Sequence, residues 1–101
     1  MKKSDALTAD IALYAMKQIQ MAKHDLELTG EEDYWNGEIK AMKHLLLHMD
    51  KLVGKKKKYD RNFPDLIAVF DRVDIQRKAK FEFFWERVWD VDGVYQEEDY
   101  T

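Results

Sequence analysis

Two histidines open the inventory of residues able to do chemistry. His44 and His48 stand four positions apart, so on a helix their imidazoles share a face and have the spacing of a zinc chelate. The same face carries Lys40 one turn earlier and Leu52 one turn later, neither a ligand. The pattern also lacks the His-Glu-x-x-His arrangement of a metalloprotease, since Leu45 and Leu46 fill intervening positions. The expectation is two solvated imidazoles and no metal. Asp90, Val91, Asp92 and Gly93 suggest a calcium loop, but aligning Gly93 with the loop glycine puts Val88 at the first ligand position. The chain has no cysteine, which excludes disulfides, a thiol nucleophile and thiolate metal sites. Its serines and threonines are Ser4, Thr8, Thr29 and Thr101, none beside a histidine. With no phosphate loop and no paired acids, the sequence points away from an enzyme and calls for no cofactor.

Charge offers two further surfaces. Lys55, Lys56, Lys57 and Lys58 form a basic run that Tyr59 and Arg61 extend. Such a run could contact phosphates, and a nucleic-acid-associated regulator using residues 55–61 is the alternative function. Against it stand a net charge of −3 and the lack of a recognition helix rich in Arg, Asn and Gln. At the other end, Asp90, Asp92, Glu97, Glu98 and Asp99 make an acidic flank without a basic residue. Phe83, Trp85 and Trp89 precede it as apolar anchors. An aromatic cluster beside an acidic flank suits docking on a basic groove of a protein partner.

These residues need helices to position them. A chain of 101 residues fits one domain. Four glycines and one proline are too few for a turn-rich β fold. No run approaches the roughly 20 apolar residues of a membrane span, and no signal-peptide core follows Met1, so a cytoplasmic location is expected. At about 100° per residue, Leu7, Ile11, Tyr14, Ala15, Ile19, Met21, Ala22 and Leu26 fall on one half of a first helix that Ser4 or Thr8 would cap. Leu13 and Met16 fall outside that arc. A second helix is expected after a capping box of Thr29 and Glu32. Its stripe is Trp35, Ile39, Met42, Leu46, Met49 and Val53, and Gly54 ends it. Asn62 would cap a third helix with Pro64 in its first turn. Phe81, Phe84, Trp85 and Val88 return to the phase of Leu66, Ile67 and Phe70, which predicts one long helix over residues 64–90. A hairpin strand near Phe81 is the alternative.

The expected architecture is therefore all-α: a three-helix bundle with a long C-terminal helix, a single helical domain over residues 1–91 and an acidic tail over residues 92–101. Asp74 and Arg77, at i and i+3 in the apolar arc, either form an ion pair that fixes bundle register or mark where the helix leaves the core and turns to solvent. Leu13, Met16, Leu47, Ile75 and Phe83 lie off their stripes, so they either widen the core or pair copies of the chain in a homo-oligomer.

Residues 32–45, with the aromatic pair Tyr34 and Trp35, the small Gly37 and the amphipathic run through Leu45, resemble a stretch of small helical proteins encoded by phages and prophages. The short, acidic, cysteine-free makeup is similar to that of phage proteins that inhibit host or defence machinery, anti-CRISPR proteins included. The resemblance implies a non-enzymatic, phage-type inhibitor that occupies a surface of a larger protein; it transfers no site residues.

Overall fold

The structure, a computed structural model, describes residues 1–88. They form four helices: α1 (Lys3–Thr29), α2 (Glu32–Val53), α3 (Pro64–Phe70) and α4 (Ile75–Val88). Among the described residues there is no strand, so the hairpin alternative at Phe81 is excluded and the all-α class stands.

Gly30 and Glu31 join α1 to α2 in an αα-hairpin. Gly30 adopts the left-handed conformation at φ 70° and donates its N–H to the Leu26 carbonyl. The expected capping box is not formed, because Thr29 still belongs to α1 and the N-cap of α2 is Glu31. Thr29 Oγ1 instead donates to the Asp25 carbonyl (2.9 Å) and accepts from Trp35 Nε1 (3.0 Å). It thereby ties the end of α1 to the first turn of α2. The start of α1 likewise lacks a side-chain cap; Lys2 holds that position.

The end of α2 departs from the expected glycine stop. Gly54 is right-handed, and the left-handed residue is Lys55 at φ 53°. Lys56 N–H reaches the Lys51 carbonyl and Lys55 N–H the Leu52 carbonyl, the two bonds of a Schellman ending. A Cβ on Gly54 would collide with the Asp65 carboxylate, so the glycine permits a close approach rather than a backbone twist. Asn62 does not cap α3: its N–H donates to Asp60 Oδ1 (2.9 Å), while the left-handed Phe63 (φ 52°) stands at the N-cap. The cap comes from α2, where buried Asp50 accepts the N–H groups of Asp65 and Leu66 on one oxygen.

The single helix expected over residues 64–90 is two. Asp71 and Arg72 close α3 with i→i−3 bonds to Ala68 and Val69, and the Asp74 carbonyl accepts the first bond of α4 from Lys78. Aspartate favours such boundary positions over helix interiors. The gain from breaking is aromatic. In one continuous helix Phe70 and Phe81 would lie about 16 Å apart along the axis. Folded back, their rings stack at 4.3 Å and 12°, and Phe63 meets Trp85 edge-on at 5.5 Å. The four-residue link is close to one helical turn, which is why the apolar phase survives it.

The core lies between the α1–α2 hairpin and the α3–α4 hairpin. Its α1 face is Ala9, Ala12, Leu13, Met16 and Ile19, small residues that let helices approach closely. Leu13, Met16 and Leu47, read as off-stripe, are thus core. Leu7, Ile11, Tyr14 and Met21, read as core, are exposed. Asp10 and Asp5 clamp the second hairpin to α1: Arg77 Nε lies 2.8 Å from Asp10 and Arg72 Nε 3.1 Å from Asp5.

Candidate interaction surface

On a wheel of 100° per residue, the buried residues of α1 and its exposed apolar residues occupy opposite sides. Leu7 is 63% exposed, Ile11 42%, Tyr14 61% and Met21 49%. With Gln18 between the last two, their spacing is 4-3-4-3, the repeat of a helix-pairing seam. Leu28 extends the stripe near the end of the helix. α1 is therefore apolar on two faces, of which the fold uses one.

Beside this stripe a groove of about 600 Å³ runs between α1 and α4, with Leu13, Tyr14, Ala79, Phe83 and Phe84 as apolar walls and Asp10, Lys17 and Lys80 at the rim. Phe83 is 54% exposed. Arg87 lies over its ring at 3.9 Å and Phe84 meets it edge-on at 5.2 Å. At the groove's rim Arg77 donates to both Asp10 and Asp74 (2.8 Å each), the Asp74–Arg77 pair the sequence suggested. The Arg77 guanidinium holds both carboxyls below the usual aspartate range.

The other anchor residues are placed differently. Trp85 is half-buried and packs on Phe81 and Phe63. Trp89, Asp90, Asp92, Glu97, Glu98 and Asp99, together with the tail over residues 92–101, lie outside the described residues. Ile75, an off-stripe residue, is fully outside the core at 87% exposure.

The basic loop is divided by the fold. Lys56 Nζ sits among three carboxylates, 2.7 Å from Asp65, 3.2 Å from Asp50 and 3.6 Å from Asp60. The hydrogen bond to Asp65, with Asp50 adding to it, raises its pKa above the usual lysine value. Lys55, Lys57 and Lys58 point to solvent, and Arg61 is half-buried. Only part of the run therefore faces outward together. His44 and His48 flank Tyr59, at ring separations of 5.6 Å and 6.2 Å, with His48 Nδ1 3.4 Å from the phenol oxygen. Among the described residues no group of three His, Asp or Glu side chains could hold a metal ion.

Sequence reasoning overlooked Lys43, which is 1% exposed on the core face of α2. Burial pushes its ammonium down to about 8. Its side chain stands among the buried residues of the core. Among the described residues no helix is long and apolar enough to cross a membrane. No protein family, curated protein or solved structure matches this chain.

Proposed function

We propose that this protein acts without catalysis, as an interaction protein that docks on a protein partner through the apolar face shared by α1 and α4. The observation that carries the proposal is the second apolar face of α1, turned away from the core and adjoining a groove with Phe83 in its wall. Large exposed apolar patches on small proteins mark interfaces, and aromatic residues carry much of the energy of such contacts. Lys17, Lys80 and Asp10 give the patch a charged rim, which suits a protein partner with both signs of charge. The resemblance of residues 32–45 to phage-encoded helical proteins supports a more specific form: an inhibitor that occupies a surface of a host or defence protein.

The test is capture from a lysate of the source organism, with the wild-type chain and Phe83→Lys as parallel baits, read by mass spectrometry. A prey retained by the wild type and lost by a variant of unchanged melting temperature supports the docking face. Equal retention by both baits, or no prey at all, defeats it.

A further inference from the structure

We infer that the loop between α2 and α3 binds the phosphate backbone of double-stranded nucleic acid without regard to base sequence. This goes beyond the docking face and shares no residue with it. The chain's net charge of −3 includes five acidic and no basic residues beyond Val88, so residues 1–88 carry +2. At the loop the imbalance is sharper. The carboxylates around it are gathered on one cation: Lys56 Nζ lies 2.7 Å from Asp65, 3.2 Å from Asp50 and 3.6 Å from Asp60. The other oxygen of Asp60 accepts the Asn62 N–H. Lys55, Lys57 and Lys58 are exposed, and among the described residues no carboxylate pairs with them. Lys56 therefore neutralises the acids of this turn, and its lysine neighbours keep their charge for a ligand.

Shape and ring contacts decide the class of ligand. Residues 56–62 line an open hollow of about 710 Å³, which fits a convex polyanionic rod better than the flat surface of a bilayer. Phe63, the loop's large apolar side chain besides Tyr59, is buried, so the loop has no wedge to enter acyl chains. The Tyr59 ring is already occupied. Lys51 Nζ lies over it at 4.6 Å, and the His44 and His48 rings stand beside it at 5.6 Å and 6.2 Å. Stacking of bases on a free aromatic, the usual hold on a single strand, is thus not offered. What remains is contact between ammonium groups and phosphates, which positions a ligand but reads no bases. A duplex presents one charge per roughly 1.7 Å of its axis, twice the density of one strand, and is the ligand this loop favours.

Fluorescence anisotropy of a short labelled DNA duplex, titrated with the full chain at several salt concentrations, tests this. Two to three phosphates neutralised predict a loss of roughly 10- to 40-fold in affinity between about 50 and 200 mM salt. Lys57→Gln with Lys58→Gln, at exposed positions, should keep the melting curve, weaken binding at low salt and flatten the salt dependence. Lys2→Gln with Lys3→Gln removes the same charge far along the chain and should bind as the wild type does. A labelled single strand and vesicles of phosphatidylserine with phosphatidylcholine are run beside the duplex. Four results would overturn the site: no duplex binding at low salt, an equal loss in the two double variants, tighter binding of the single strand, or binding to vesicles alone. Phe83-dependent capture of a protein would survive any of them, so the docking function stands or falls separately.

Discussion

Asp50 Oδ1 in α2 accepts the Leu66 N–H of α3 at 2.7 Å, sixteen residues away along the chain. The same oxygen takes the Asp65 N–H at 2.8 Å, and the other oxygen holds Lys56. One buried carboxylate thus does the work of the N-cap that Phe63 cannot supply, and it fixes the second helical hairpin on the first. Asp50→Ala leaves the buried Leu66 N–H unsatisfied and removes one of the partners of Lys56. We expect a loss of about 3 kcal/mol in urea unfolding, within the range for broken buried polar pairs. Asp50→Asn keeps an acceptor and should lose about 1 to 2 kcal/mol. Equal stability of all three proteins would show that α3 is capped in another way.

Lys43 gives the fold an alkaline signature. Its folded pKa, about 8, lies below the ordinary value of 10.5 because burial disfavours the ammonium. Below pH 8 both the folded and unfolded chains carry the proton, and burial disfavours it in the fold. Between about 8 and 10.5 the unfolded chain binds more proton than the folded one, so stability rises with pH. The upper limit of that gain is roughly 3 kcal/mol. Lys43→Met keeps the length of the side chain and removes the charge. The variant should lack this rise. Parallel pH profiles of wild type and variant would refute the assignment.

Helix content was legible because the signals for it are local: the apolar stripe of α2, Gly54 near its end and Pro64 at the start of α3 all act within a turn or two. The buried face of α1 was not legible, because both of its faces are apolar and a wheel has no means of choosing between them. Ala9 and Ala12 won because small residues allow close packing against α2 and α4, which left Leu7, Ile11 and Tyr14 outside. The break at Asp71–Asp74 was concealed by its length, near one helical turn. Nothing local in the sequence marks Lys43 or Asp50 as buried, and only the tertiary contact with α3 explains Asp50. Phe83, by contrast, stood out as an off-stripe aromatic in the sequence and lines the groove in the fold.

Arg77 joins α1 to α4 through Asp10 and Asp74, and its guanidinium lowers both carboxyl pKa values from 3.8. A depressed carboxyl stabilises the fold above its unfolded pKa, and that contribution is lost as pH falls through the lower folded value. The window is therefore from about pH 4 downward. Arg77→Gln should melt at a lower temperature at pH 7, and the difference from wild type should shrink as the pH is taken to about 2. A difference that stays constant with pH would assign the effect to packing of the arginine stem.

Lys55 occupies the left-handed position of the α2 ending at φ 53°, where a side chain with a Cβ costs about 1 kcal/mol relative to glycine. The Lys55 side chain is exposed and takes no part in the carboxylate cluster around Lys56. Lys55→Gly should therefore stabilise the protein, with the relief of backbone strain partly offset by the greater freedom of glycine in the unfolded chain. We expect a net gain of about 0.5 kcal/mol, read as a higher urea midpoint at unchanged slope. Gly54→Ala is the informative contrast. Gly54 is right-handed, so alanine suits its backbone, but the new Cβ would displace the Asp65 carboxylate from beside Lys56. That variant should destabilise. A Lys55→Gly protein less stable than wild type would mean that the lysine side chain contributes more at this turn than its backbone conformation costs.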